Sequence, residues 1–260
     1  MASNNHRVII IGAGFSGMCL GIKLQEAGID DYVILEKAAE VGGTWRENTY
    51  PGAECDVPSA LYSYSFEHNP KWQFKWSEQQ QILEYQKHVA DKYGLYAHIH
   101  FGHEITGAEF DESRHRWTLT TATGEIYVGQ HLVTAVGQLH HPSIPKFAGD
   151  DTYQGVRFHS ARWDHTIDLK GKRVGVIGNA ASALQFIPEI ADDAAHVTVF
   201  QRSPNWVIAK QDRPYKPWEK WIFERIPLLA RLYRLRIWLR AELLFLPAMR
   251  NNKLAQGALR

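Results

Sequence analysis

Residues 8–17 read VIIIGAGFSG, four apolar residues running into Gly12, Gly14 and Gly17. A short continuous apolar run suits a strand buried on both faces of a parallel sheet, and the glycines fit G-x-G-x-x-G. Gly12 permits a tight turn, Gly14 lets the backbone approach a pyrophosphate, and Gly17 allows helix and strand to pack closely. Residues 15–27 continue as good helix formers up to Gly28, and Tyr32-Val33-Ile34-Leu35 forms a second strand closed by Glu36 and followed by Lys37. The helix N-terminus, with Ala13, Phe15 and Ser16 filling the loop, offers free N–H groups to phosphates. Glu36, 24 residues beyond Gly12, is placed to accept hydrogen bonds from ribose hydroxyls. The reading is a βαβ unit holding a dinucleotide.

That spacing is a ruler for a second stretch, VGVIGNAASA at residues 174–183. Arg173–Ile177 reads as a strand, residues 181–191 as a helix and His196–Phe200 as another strand. Counting 24 residues from Gly178 arrives at Arg202, where the first unit has Glu36. An acid there repels a 2′-phosphate, whereas a guanidinium binds one in bidentate fashion, so the second loop is expected to prefer NADPH to NADH. Gly178, Asn179, Ala180, Ala181, Ser182 and Ala183 would form this loop, with Ser203 beside the arginine. Alanine suits the third glycine position, but the Ala180 methyl sits where a pyrophosphate approaches. A βαβ unit without nucleotide stays open as the alternative.

The chain's 260 residues are 45% hydrophobic and 12% aromatic, enough for one large domain or two modest ones. A net charge of +1 gives no overall pull towards nucleic acid, yet residues 202–260 carry thirteen Lys or Arg against four Asp or Glu. Two cysteines, Cys19 and Cys55, supply neither a disulfide framework nor a CxxC pair, the usage of a reducing compartment. The polar start MASNNHR lacks the apolar core of a secretory signal, and no uncharged apolar run of membrane-spanning length is present. A soluble cytoplasmic protein is expected.

Between the two loops the residues become distinctive. Val41-Gly42-Gly43-Thr44-Trp45-Arg46 is followed by Tyr50-Pro51-Gly52-Ala53-Glu54-Cys55-Asp56-Val57, and Tyr153, Gly155, His159, Trp163 and Asp164 fit F-x-G-x-x-x-H-x-x-x-W-(P/D) with Tyr in place of Phe. Thr134–Gly137 and Gln201–Trp206 add two further segments. Together these resemble the flavin-dependent class B monooxygenases, especially the Baeyer–Villiger and flavin-containing monooxygenases, over nearly all of residues 6–210. The resemblance implies an α/β fold of two Rossmann-like dinucleotide-binding domains, for FAD and then NADP, with an all-helical C-terminal segment. It implies hydride transfer from NADPH to FAD, capture of O2 as a C4a-peroxide, and oxygen insertion into a ketone or oxidation at sulfur or nitrogen, the cofactor carrying the hard step. By position in the motif the resemblance implies that Asp56 is the active-site aspartate, orienting an arginine partner and the nicotinamide. Gly43, Thr44, Trp45, Val57 and Tyr62 would line the flavin, and Ile105 would meet its adenine. His159 and Trp163 would belong to a linker coupling domain motion to catalysis, a packed loop histidine being the plainer reading.

The domains implied are an FAD-binding domain over residues 1–145, an NADP-binding domain over 146–210 and a helical insertion over 211–260. The family's arginine and the segment returning to complete the flavin domain are not found in the sequence, so an N-terminal half is expected. A nucleotide-binding remnant without oxygenase activity is the alternative, and a disulfide reductase is disfavoured by the missing CxxC. Other signals carry less. His98, His100 and His103 cluster, with His98 and His100 expected on one face of a strand, but no Cys or acid stands at ligand spacing and no metal is expected. Ser77-Glu78-Gln79-Gln80 reads as a capping box opening a helix to about Tyr93, and Thr118–Val128 as a hairpin turning at Thr123-Gly124. In the basic tail, Trp218, Trp221, Ile222, Leu228, Leu232, Leu235, Leu239, Leu243 and Leu246 recur at helical spacing, with Arg231, Arg234 and Arg240 off the stripe. Packing on the nucleotide domains is the expectation for it; contact with an anionic membrane surface is the alternative.

Overall fold

A computed structural model describes residues 4–205, 207 and 210–250. The chain folds as two compact units, Met1–Ala53 with Ile82–Pro204 and Glu54–Gln81 with Asn205–Arg260. The first is a mixed α/β unit. Its strands are β1 (Asn5–Ile11), β2 (Tyr32–Glu36), β3 (Ile99–Phe101), β4 (Ile105–Asp111), β5 (Arg116–Thr121), β6 (Ile126–Thr134), β7 (Arg173–Ile177) and β8 (His196–Phe200). The helices are α1 (Phe15–Glu26), the short α2 (Thr44–Glu47), α3 (Gln79–Lys92), which crosses from one unit into the other, and α4 (Ala181–Ala191).

Six strands form one sheet in the order β3-β2-β1-β6-β5-β4, and β7 and β8 form a separate parallel pair. Strands β3, β2, β1 and β6 run parallel, and the edge β6-β5-β4 is antiparallel. The apolar run at β1 is central for the reason its composition implies: Ile9 and Ile10 are fully buried, and every residue of β2 is buried. Ile9, Val33, Leu35, Leu119 and Tyr127 form one core, with Ile105 packed against it.

Expected and observed elements coincide at β7, α4 and β8, while α1 ends at Glu26. Two local expectations need correction. His98 does not share a strand face with His100: it closes a 3-10 turn, Leu95–His98, before β3 opens at Ile99. There it stacks on Tyr32 at 4.3 Å between ring centroids, while His100 Nδ1 meets the Tyr127 hydroxyl at 2.7 Å. The helix after Ser77 begins at Gln79, with the Ser77 hydroxyl 2.7 Å from that of Ser59.

The second unit is built from loops and from α5 (Pro217–Arg225), α6 (Pro227–Arg240) and, after a π-helical turn at Ala241–Phe245, α7 (Leu246–Met249). Glu219 starts α5 well: it accepts from Arg213 in bidentate form at 2.7 Å and from the Lys216 N–H at 2.8 Å. Those bonds, with the Arg213 hydrogen bond foremost, hold Glu219 down at about 2. Most of the apolar stripe of the tail is exposed. Trp218 and Trp221 are each 58% exposed, and Leu228, Leu232, Leu235, Leu239, Leu243 and Leu246 are exposed as well. Arg234, expected among the off-stripe cations, instead turns inward and donates to the carbonyls of Ala60, Leu61 and Ser63 at 2.8, 2.9 and 3.2 Å. Among the described residues no helix is long and apolar enough to cross a membrane.

Candidate dinucleotide sites

β1 delivers the chain into a turn that only a residue tolerant of positive φ can make. Gly12 has φ +103° and donates its N–H to the Leu35 carbonyl at 2.8 Å. A Cβ on Gly12 would lie 2.6 Å from the Ala135 carbonyl, so the Thr134–Gly137 segment leaving β6 closes against this turn. A Cβ on Gly17 would lie 1.9 Å from the Gly12 carbonyl, which is how the third glycine sets the approach of α1. Gly14 is the extended N-cap of α1, and no side-chain cap hydrogen bond is made there.

The Gly-Gly-Thr-Trp segment packs onto this loop. The Gly42 N–H donates to the Ala13 carbonyl at 3.1 Å, and a Cβ built on Gly14 would meet only the Gly43 Cα, at 3.8 Å. Two backbones without side chains thus face each other across the cradle. Gly43 opens the single-turn α2, which carries Thr44, exposed, and Trp45, half-buried. Phe15 leans towards Tyr85 with 6.1 Å between ring centroids, and Ser16 is exposed.

Glu36 closes β2 at 5% exposure. Its Oε2 accepts the Ala13 N–H at 2.8 Å, and its Oε1 accepts the Ala38 N–H at 3.0 Å and Arg46 Nη2 at 3.3 Å. The carboxylate is therefore oriented by the loop itself before any ligand arrives. Arg46 was not among the expected site residues. It also pairs with Glu47 at 2.7 Å and donates to the Glu40 carbonyl. Burial opposes the Glu47 charge, but Arg46, with Arg162, holds that carboxyl below its usual range. The signal for Arg46 lay in its position directly after Trp45. Lys37 is half-buried, and Ile105 packs into the sheet core at the start of β4.

The second loop repeats the first. Gly178 has φ +102° and donates to the Phe200 carbonyl at 2.8 Å. Ala180 is the extended N-cap of α4, at φ −70° and ψ −179° against −86° and −167° for Gly14. No side chain caps this helix either, Ala181 and Ser182 begin it, and Ala183 is buried where Gly17 stands in the first βαβ unit. The register differs by one residue: Ile11 pairs with Leu35, but Ile177 pairs with Phe200. Hence Gln201 occupies the place of Glu36, and Arg202 lies one residue further out. The equal count of 24 did not carry over into equal pairing. Arg202 is exposed, and its guanidinium makes no hydrogen bond or ion pair with another described residue.

The two halves of this unit share a core. Tyr50 and Ala53 are buried with Val176, Ala183, Phe186 and Ile190, and the Tyr50 hydroxyl donates to Gln185 Oε1 at 2.8 Å. Gly52, at φ +69°, would place a Cβ 2.8 Å from the Gln185 carbonyl. Trp163 joins this cluster, 5.2 Å from the Phe186 ring and 5.1 Å from that of Phe158. His159 Nδ1 accepts the Ala161 N–H at 3.1 Å and caps a 3-10 turn. Asp164 accepts from the Thr166 hydroxyl and N–H, which lowers its carboxyl pKa. Tyr153 is 61% exposed, its hydroxyl close to where a Cβ on Gly155 would stand.

Asp56, Val57 and Tyr62 belong to the second unit. Asp56 and Val57 are exposed there, and the Tyr62 N–H donates to the Pro58 carbonyl at 3.0 Å. Their neighbour Cys55 is buried, its N–H donating to the Ser77 carbonyl at 3.0 Å, and burial pushes its thiol up to about 11. Glu54 pairs with Lys210. Trp206 lies outside the described residues. Among those residues no group of three or more His, Cys, Asp or Glu is arranged to hold a metal ion.

A family profile described as "Pyridine nucleotide-disulphide oxidoreductase" matches residues 9–236. The chain is 44% identical over 232 residues to a Baeyer–Villiger monooxygenase of Streptomyces coelicolor, spanning 89% of this chain and 44% of that protein. Among solved structures it is similar to a steroid monooxygenase bound to NADP, with a TM-score of 0.78, 38% identity and coverage of 85% of this chain and 43% of the other. A closed cyclohexanone monooxygenase gives a TM-score of 0.78, 36% identity and coverage of 87% and 44%. The chain thus spans less than half the length of the relatives it matches. With twin glycine turns and a family match that runs from β1 into α6, this chain belongs to the pyridine nucleotide-disulphide oxidoreductase family.

Proposed function

We propose that this chain is the nucleotide-handling part of an FAD- and NADPH-dependent Baeyer–Villiger-type monooxygenase acting on a small ketone, or on sulfur or nitrogen, with O2. Residues 1–145 form its flavin domain, 146–210 its nicotinamide-dinucleotide domain and 211–260 a helical segment. The observation that carries this reading is the repeated turn: two glycines at φ +103° and +102°, each donating at 2.8 Å to the end of the neighbouring parallel strand, each opening an uncapped helix. Two such turns suit two dinucleotides, and the exposed Arg202 suits the one with a 2′-phosphate.

The residues fit FAD at the first turn, because the Gly14–Gly43 gap would be filled by any side chain at either position. The N–H groups at the start of α1 would hold the pyrophosphate, and Glu36, already aimed by Ala13 and Ala38, would take the ribose hydroxyls with its remaining lone pairs. When bound, FAD reduced by NADPH supplies the electrons for O2 activation, one oxygen atom entering the substrate and the other leaving as water. The start of α4 would hold the NADPH pyrophosphate, narrowed by the Ala180 methyl, and Arg202 the 2′-phosphate. Thr44, Trp45, Val57, Tyr62 and Ile105 are assigned to the flavin surroundings, and Asp56 to orienting the nicotinamide. The sparse, unpaired cysteine usage supports a cytoplasmic location.

The test is to purify the chain with FAD and add NADPH without O2, then admit O2 with cyclohexanone. Loss of yellow flavin colour followed by ester formation is expected. Colour that persists in excess NADPH would reduce the protein to a nucleotide-binding remnant.

A further inference from the structure

One side chain ties down both neighbours of Arg202. Asn179 Nδ2 donates to Gln201 Oε1 at 2.9 Å and to the Ser203 carbonyl at 2.9 Å. A primary amide has two N–H groups, so a single Asn satisfies both acceptors and closes a bracket around the residue between them. The bracket matters because Gln201–Ser203 lie beyond the end of β8 and are exposed, outside any strand ladder that would fix them. In the first βαβ unit the corresponding link is the Ala13 N–H donating to Glu36 Oε2 at 2.8 Å. There the loop aims an acid through its backbone. In the second βαβ unit the same loop position aims a neutral amide, and the arginine beside it, through a side chain.

Resting on the reading of the Gly178 loop as a nicotinamide-dinucleotide site, we propose that Asn179 is a positioning residue for cofactor choice: by pinning Gln201 and Ser203 it fixes the backbone from which Arg202 reaches a 2′-phosphate. Binding a phosphate from a fixed backbone costs less ordering than binding it from a free loop. The gain is confined to the ligand that carries the 2′-phosphate. A residue that merely supported the fold would affect NADP+ and NAD+ alike.

The experiment is equilibrium titration of the FAD-loaded chain with NADP+ and with NAD+, for the wild type, Asn179→Ala, Asn179→Ser, Arg202→Ala and the Asn179→Ala/Arg202→Ala double variant. Asn179→Ala is expected to weaken NADP+ by ~10-fold while leaving NAD+ within about two-fold. Asn179→Ser, which keeps one donor, falls between. In the Arg202→Ala background, removing Asn179 adds no further loss, since its effect passes through the arginine. Equal weakening of both dinucleotides, or additive losses in the double variant, would overturn the positioning role while leaving the site intact. If Arg202→Ala itself leaves NADP+ binding unchanged, or the wild type binds neither dinucleotide, the site reading falls, and the role of Asn179 with it. Flavin content of each variant reports that it has folded.

Discussion

Glu36 accepts the backbone N–H of Ala13 at 2.8 Å, so the acid at the tip of β2 and the first glycine turn hold each other in place. The bond joins the two ends of a βαβ unit, at the place proposed for a ribose and its pyrophosphate. It also gives Glu36 a structural role beside the ligand-binding one proposed above. Arg46, whose side chain is 15% exposed, completes the arrangement from α2.

Glu36→Ala would leave the Ala13 N–H, the Ala38 N–H and the Arg46 charge without their shared acceptor in a buried setting. Removing one partner from such a group costs roughly 2–4 kcal/mol. Urea unfolding is expected to show this loss, and flavin titration a drop in FAD affinity. Glu36→Gln, which keeps one acceptor oxygen, is expected to lose less of both. Unchanged unfolding of the alanine variant would refute the structural role.

Gly52→Ala tests the contact between the Tyr50–Ala53 loop and α4. The φ of +69° disfavours a side chain, and the new methyl would press on the Gln185 carbonyl and on Glu189. Together these are expected to cost roughly 2–3 kcal/mol. Tyr50→Phe, which removes one hydrogen bond to Gln185, is expected to cost only about 1 kcal/mol. Denaturant unfolding of both variants compares the two.

Acid should weaken the fold through His100. Burial, with the charges of His103 and His6, lowers its pKa from the ordinary value near 6.5, while Glu125 pulls the other way. A group with a depressed folded pKa favours the fold in its neutral form. Its contribution is full above about pH 6.5 and is lost as the pH falls through the lower folded value. The melting temperature is expected to decline over that window, and His100→Gln, which can still bond Tyr127, to flatten the decline. An identical slope in the variant would assign the acid sensitivity elsewhere.

Ala180→Gly tests the methyl at the second loop. Ala180 and Gly14 share nearly the same backbone, so the substitution opens ligand space without needing the fold to move. NADP+ is expected to bind a few-fold tighter, on the order of one lost steric contact. Equal affinity in both forms would show that the methyl does not face the ligand.

Much of this was readable in the sequence where local rules decide. β7, α4 and β8 follow from an apolar run, a glycine and a helix of small and apolar residues. What escaped was non-local. The ruler from Gly12 to Glu36 counts residues, but strand pairing is set by hydrogen bonds, and the second βαβ unit pairs Ile177 with Phe200, one residue short of the first βαβ unit's offset. The count therefore found Arg202 without seeing that Gln201 takes the place of Glu36. Arg46, and the bonds that Asn179 makes from its expected place in the loop, were hidden for the same reason, since the partners are 10 and 22 to 24 residues away. In the second unit, Tyr64, Trp72 and Tyr215 are buried within irregular backbone, so no periodicity announces them. The exposed stripe of α5 and α6 shows the limit of pattern alone: helical spacing identified the helices, not what their faces touch.

The central claim is that two alike turns hold two unlike cofactors, and titration of the FAD-loaded chain with NADP+ tests it most directly. The account predicts saturable NADP+ binding with the flavin retained, and at least ~10-fold weaker binding in Arg202→Ala at unchanged flavin content. Displacement of FAD by NADP+, or the same NADP+ affinity with and without the guanidinium, would contradict it.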